Sequence, residues 1–104
     1  MKLSLTAALF IAYFVLVANG KAQTAPANPY SAKCQMCHGA TGLGDTPAGK
    51  AMGAHPFNSP DVIKESDADL LAVIKNGKAK MPAFAGKLTD PQMTVLVAYI
   101  RKLQ

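Results

Sequence analysis

The chain has 104 residues, half of them hydrophobic, a formal charge of +5, two cysteines and two histidines. This length accommodates one small domain. The basic residues form no run and the few aromatic residues are not interleaved with arginines, which excludes the composition of a nucleic-acid-binding protein.

The N-terminus is typical of an export signal. Lys2 precedes an apolar run over residues 3–18, and small residues follow. The run is shorter than the about 20 residues that a membrane span needs. We predict a signal peptide over residues 1–22, cleaved after Gly20 or Ala22, and a mature domain over residues 23–104 in the periplasm or another extracytoplasmic space. Retention of the segment as a membrane anchor is the alternative.

The first predicted helix begins with Asn28 as N-cap and Pro29 at the first helical position. It leads into the sequence CQMCH over residues 34–38, the attachment pattern of a c-type haem. Two cysteines three apart lie on one face of a helical turn, so Cys34 and Cys37 can both add to the vinyl groups of one porphyrin. His38 then lies below the ring, where its imidazole can bind the iron. The motif therefore predicts one covalently attached haem c.

Two other uses of a paired cysteine motif fit less well. A redox dithiol of the thioredoxin type needs alternating strands and helices, a pattern that is absent from this sequence. A structural zinc site needs four ligands, commonly from two separated pairs, and Cys37 is adjacent to His38.

Residues 39–57 contain several glycines and are predicted as a long loop without regular structure, which would wrap one face of the haem. Within this loop, Pro47 either supplies a backbone carbonyl to the second ring nitrogen of His38 or is a simple turn proline. Both interpretations remain open at this point.

The remaining helices are predicted from their start and stop signals. A short helix follows Ser59 and ends near Lys64, and a longer one starts at Ser66 and stops at Gly77. The last helix begins at Thr89 with Gln92 in the reciprocal capping position. The sequence therefore predicts an all-α fold of three main helices and one short helix.

The last helix carries an apolar stripe at helical spacing, formed by Met93, Leu96, Val97, Ile100 and Leu103. Tyr99 lies on the flank of this stripe, where it would meet Tyr30 of the first helix. We interpret both tyrosines as ordinary core packing.

The sixth iron ligand decides between electron transfer and ligand chemistry. Met81 is the leading candidate, because it lies in a loop between two glycines and is followed by Pro82. A thioether favours reduced iron and raises the reduction potential. Met52 and His55 are the alternatives, and ligation by His55 would lower the potential.

Taken together, these motifs resemble the small bacterial class I c-type cytochromes with one haem. The resemblance covers nearly all of the mature chain and includes the stretch SPDVIKESDADLLAVIKNGKAKMPAF and the final KLTDPQMTVLVAYIRKL. It implies a small cytochrome c fold wrapped around one covalent haem, with crossing first and last helices. It also implies His38 and Met81 as axial ligands. The chain departs from the family at Ala54–Phe57, where relatives often carry an aspartate before the aromatic residue.

We expect a monomeric one-electron carrier that is not an enzyme, binds no nucleic acid and has no stable membrane insertion after signal cleavage. Its partners would be redox proteins with an acidic docking face, steered by Lys33, Lys78, Lys80 and Lys87. These lysines could instead simply solvate loops. The functional alternatives are a haem subunit docked to a periplasmic dehydrogenase or oxidase, and a gas-binding or peroxidase-like haem protein.

Overall fold

The computed structural model describes residues 27–104, so the predicted signal peptide over residues 1–22 lies outside the described residues. Six helices follow one another: α1 (Tyr30–Lys33), α2 (Gln35–His38), α3 (Pro47–Met52), α4 (Pro60–Ile63), α5 (Asp67–Asn76) and α6 (Asp90–Lys102). Within residues 27–104 the only β pairing consists of two isolated bridges. The all-α prediction is confirmed. None of the helices in this part of the chain is long and apolar enough to cross a membrane.

Helices α1 and α2 form one helical stretch that bends at Cys34. The structure places the N-cap at Pro29 and not at Asn28 as predicted. The Asn28 Oδ1 atom still accepts a hydrogen bond from the backbone N–H of Tyr30 at 3.0 Å. The helix itself begins one residue later than Pro29. The backbone N–H of His38 donates to the Cys34 carbonyl at 3.0 Å, which carries helical bonding across the bend.

The two longest helices start at the residues that the capping signals predicted. The Ser66 side chain accepts a hydrogen bond from the backbone N–H of Asp69 and starts α5. Thr89 and Gln92 form the reciprocal capping box of α6. Each such cap satisfies helix N–H groups that would otherwise lack a partner.

The prediction of a loop without regular structure over residues 39–57 was wrong, because this segment contains helix α3. Thr46 is its N-cap and accepts a hydrogen bond from the Gly49 N–H, and Pro47 occupies the first helical position. Gly53 ends the helix with a φ of 72°. The same start signal, a cap residue followed by proline, precedes α4, but the surrounding glycines concealed it here.

One hydrophobic cluster forms the core, and α6 contributes four of its buried residues. Its members are Tyr30, Phe57, Ile74, Phe84, Leu88, Met93, Leu96, Val97 and Ile100. The rings of Tyr30 and Tyr99 lie 4.7 Å apart between centroids, so the predicted contact between the first and last helices is confirmed.

Arg101 ties the end of α6 to the turn between α4 and α5. Its Nε atom donates to Asp67 Oδ1 at 2.9 Å, and its terminal nitrogens donate to the carbonyls of Ile63 and Glu65. These Arg101 contacts lie on the outside of the fold. Other contacts position the cysteine motif and the Met81 loop.

Candidate functional site

The two cysteines of the motif lie one helical turn apart, and both are half-buried free thiols. Cys34 packs against the hydrophobic cluster. Burial raises the pKa of the Cys34 thiol to about 11. A redox dithiol needs the opposite, a thiol whose pKa is lowered so that the thiolate forms near neutral pH. The environment of Cys34 therefore does not favour dithiol chemistry.

His38 ends helix α2 with its ring stacked on Phe57, at 4.7 Å between centroids and 25° between planes. Burial lowers the pKa of the imidazole, which favours the neutral form that binds a metal. Its Nδ1 atom is buried and has no hydrogen-bond partner. A buried polar atom without a partner costs about 1–3 kcal/mol, so this side chain is suited to a bond that a cofactor would complete.

Thr46, which the sequence analysis did not single out, holds the end of the motif. Its Oγ1 atom lies 2.7 Å from the carbonyl oxygen of Met36 and 3.1 Å from that of Cys37. The same atom accepts the Gly49 N–H that starts α3. One hydroxyl thus joins the start of α3 to the end of the motif helix. The Thr46–Pro47 sequence could have identified Thr46 as the cap of α3, but not its bonds to the motif helix.

Helix α3 packs directly against the motif helix through Gly49. A Cβ atom at this position would overlap the carbonyl oxygen of Cys37, so only glycine permits the contact. Pro47 starts α3. Because the Nδ1 atom of His38 has no partner, the structure shows no bond between it and the Pro47 carbonyl.

Met81 lies in a strap over residues 77–88 that connects α5 to α6. The backbone N–H of Lys78 donates to the Met81 carbonyl at 3.1 Å, and the Met81 N–H donates to the Lys78 carbonyl at 2.9 Å. The Met81 side chain is half-buried and packs against the same hydrophobic cluster as Cys34. The two therefore border the same apolar core.

The strap is fixed to the end of α5 on either side of Met81. The backbone N–H groups of Phe84 and Ala85 donate to the carbonyls of Ile74 and Lys75, at 3.0 and 3.1 Å. Before the methionine, a Cβ atom at Gly77 would lie 2.7 Å from the Met81 carbonyl oxygen, so glycine is required for this close approach. These contacts fix the backbone that carries the thioether.

The alternative sixth ligands are placed less favourably. Met52 lies on α3 with 53% of its surface exposed, and His55 is exposed in the irregular segment that follows α3. Met81, by contrast, packs on the cluster. Within residues 27–104, no group of three or more His, Cys, Asp or Glu side chains comes together.

Comparison with known proteins identifies the group to which this arrangement belongs. Residues 21–100 match the family model described as cytochrome c oxidase, cbb3-type, subunit III. The chain belongs to this c-type cytochrome family. The family carries a covalently attached haem c with its iron, and the cytochrome is a haem electron carrier rather than an enzyme.

Curated relatives support the same assignment. The cytochrome is 33% identical over 73 residues to cytochrome c6 of Leptolyngbya boryana, covering 68% of this chain and 80% of the relative. It is 33% identical over 78 residues to cytochrome c6 of Parathermosynechococcus lividus, covering 71% and 82%. It is 31% identical over 84 residues to cytochrome c6 of Bryopsis maxima, covering 73% and 85%.

Solved structures show the same fold. The KustC0563 c-type cytochrome superposes with a TM-score of 0.66 at 31% identity, covering 72% of this chain and 92% of that one. A tyrosine-to-phenylalanine mutant of it gives a TM-score of 0.64 at 30% identity, covering 72% and 93%. The resemblance to a small class I c-type cytochrome, drawn from the sequence motifs, is therefore confirmed.

The residues of this site fit the haem. Two half-buried free thiols lie one turn apart, and the adjacent histidine has a buried nitrogen without a partner. An apolar cluster borders both the motif and the methionine strap. These features are compatible with a covalent haem site in which the protein supplies two thioethers and an imidazole.

Proposed function

We propose that this cytochrome is a one-electron carrier of the periplasm or another extracytoplasmic space. Cys34 and Cys37 hold the haem through thioethers, and His38 and Met81 are its axial ligands. The bound haem supplies an iron that alternates between the ferric and ferrous states. Electrons pass through an exposed haem edge without a bond to the partner.

The observation that carries the proposal is the fixation of the methionine strap. Backbone hydrogen bonds hold it before and after Met81, and Gly77 permits close contact with the Met81 carbonyl. A thioether on such a backbone keeps its position in both oxidation states. Little then needs to move when an electron arrives, which favours electron transfer over exchange of external ligands.

The charge distribution supports an acidic docking face on the redox partner. Lys33, Lys78, Lys80 and Lys87 are all exposed, and they flank the motif and the methionine strap in sequence. The ion pairs found within residues 27–104 use other basic residues, namely Lys64, Lys75 and Arg101. The charges of Lys33, Lys78, Lys80 and Lys87 are therefore available for steering a partner, and added salt should weaken the association.

A redox titration followed by visible absorption, combined with carbon monoxide binding to the reduced protein, tests the ligand assignment. We expect one transition at a positive potential and no carbon monoxide binding for the wild type. Met81→Ala should lower the potential and permit carbon monoxide binding, whereas Met52→Leu and His55→Ala should change neither. If Met52→Leu or His55→Ala lowered the potential and Met81→Ala did not, the residue replaced in that control would be the sixth ligand instead of Met81.

Export and oligomeric state are tested on the expressed full chain. We expect the haem-loaded protein in the periplasmic fraction, with its N-terminus at Lys21 or Gln23, and a monomer in size-exclusion chromatography. Recovery in the membrane fraction with an intact N-terminus would support the anchored alternative.

A docked haem subunit is the second candidate function, and two observations favour it. The matching family model is described as an oxidase subunit, and Met36 on the motif helix is 77% exposed. A dedicated subunit should co-purify with its oxidase or dehydrogenase at high salt. A diffusible carrier should dissociate as salt rises, because the lysines would dominate its association.

A further inference from the structure

The phenol of Tyr30 makes a hydrogen bond that a core-packing role does not require. Tyr30 is only 2% exposed, and its hydroxyl donates to the carbonyl oxygen of Gly39 at 2.6 Å. The two residues are nine positions apart and lie on either side of the cysteine motif. The hydrogen bond therefore links the residues before and after the cysteine motif.

Gly39 directly follows His38 and is the point where the chain leaves helix α2. Its backbone N–H donates to the Gln35 carbonyl at 2.8 Å, while its φ of 80° turns its own carbonyl out of the helical direction. A φ in this region strongly favours glycine. The Tyr30 hydroxyl is thus bonded to the carbonyl that fixes how the chain departs from His38.

A second contact joins Tyr30 to the imidazole through Phe57. The rings of Tyr30 and Phe57 meet edge to face at 6.4 Å, and Phe57 stacks on His38 at 4.7 Å. On its other side the Tyr30 ring packs against Tyr99 of α6 at 4.7 Å. Tyr30 therefore connects the last helix to both the backbone and the ring environment of His38.

We propose that Tyr30 is a positioning residue that holds the His38 imidazole in one rotational orientation beneath the haem. This inference rests on the proposed function, because it takes His38 as an axial ligand. The hydroxyl restrains the backbone after His38, and the ring supports the phenylalanine on which the imidazole stacks. Burial raises the pKa of Tyr30 to about 12, so the phenol remains a hydrogen-bond donor across the working pH range.

Tyr30→Phe tests this role, with Tyr99→Phe as the matched control. Each removes one hydroxyl from the same aromatic pair and retains the ring, but only the first breaks the bond to Gly39. The readout is the proton NMR spectrum of the ferric protein, where the shifts of the haem methyl groups report the orientation of the axial ligand plane. Denaturant unfolding is measured in parallel to verify that both variants fold.

We expect Tyr30→Phe to redistribute the haem methyl shifts and Tyr99→Phe to leave the wild-type pattern. An unchanged pattern in Tyr30→Phe, or equal changes in both variants, would overturn the proposal and return Tyr30 to a packing role. His38→Ala separates the two levels of inference. The ligand assignment fails if His38→Ala removes no coordinated-imidazole resonance from the wild-type spectrum. If His38→Ala does remove such resonances but Tyr30→Phe leaves the haem methyl shifts unchanged, only the positioning role fails.

Discussion

The two sides of the candidate haem site are built by different means. On the motif side, His38 lies at the end of a helix that a second helix covers, with Thr46 bonded to its carbonyls and Gly49 in direct backbone contact. On the methionine side, Met81 lies in an irregular strap attached by backbone hydrogen bonds to the end of α5. The first side is fixed by helix packing and the second by a few turn contacts.

This difference suggests how the two sides serve the same cofactor. The two cysteines and the adjacent histidine must all face one haem, and the packing of α3 holds the helical turn that carries them. Axial ligation by a thioether requires only one correctly placed sulfur, which a short strap can supply. We therefore expect changes on the motif side to reduce haem loading, and changes on the methionine side to alter potential and ligand binding in protein that still carries haem.

The largest effect is expected from Gly77→Ala on the methionine side. The φ of 74° costs an alanine about 1–2 kcal/mol, and its Cβ atom would lie 2.7 Å from the Met81 carbonyl oxygen. Together these should lower the free energy of unfolding by about 3 kcal/mol and permit carbon monoxide binding to the ferrous protein. Guanidinium unfolding and absorption spectra provide the two measurements.

Gly86→Ala is the matched control for that substitution. Gly86 has a φ of 82° but nothing within 4 Å of an added Cβ atom. It should cost only about 1 kcal/mol and leave carbon monoxide excluded. Equal effects at both glycines would show that backbone strain alone, and not the close approach to Met81, accounts for the loss.

On the motif side, Gly49→Ala should destabilise the protein by about 2 kcal/mol, since overlap with the Cys37 carbonyl outweighs the improved helix propensity. The distinguishing result is a lower yield of haem-loaded protein, measured by the haem-to-protein ratio after export. Gly53→Ala, where nothing lies within 4 Å, should load haem normally. Normal loading of Gly49→Ala with an altered potential would reverse the proposed division between the two sides.

The sequence predicted the methionine side better than the motif side, for a physical reason. Helices α5 and α6 are predicted by the caps at Ser66 and Thr89 and by their apolar periodicity. The strap is the segment that connects these two helices, so its position follows from theirs. Helix α3 has only six residues and contains a glycine that permits close packing. Its composition therefore resembles that of a loop, and the helix was not predicted. The cap at Thr46 was visible, but its bond to the Met36 carbonyl depends on tertiary packing and could not be predicted from sequence.

A smaller effect is expected from Thr46→Ala, which removes both a helix cap and the bond between α3 and the motif helix. The loss should be about 1.5 kcal/mol, against about 1 kcal/mol for Ser66→Ala, which removes the cap of α5 alone. Thr46→Ser should recover most of the stability. Identical losses in the two alanine variants would indicate that Thr46 acts only as a cap.

The smallest effect, and one of opposite sign, is expected from Ala79→Gly in the turn before Met81. Ala79 has a φ of 52°, a left-handed conformation that costs an alanine about 1–2 kcal/mol. Glycine removes this strain but adds about 0.5–1 kcal/mol of unfolded-state entropy, so a net stabilisation of about 0.5 kcal/mol is expected. Ala85→Gly, at an exposed position without positive φ, should instead destabilise the protein by a similar amount. If Ala79→Gly also lowered stability, the strain in this turn would be negligible, and the strap would owe its position to the contacts at Gly77 and the end of α5 alone.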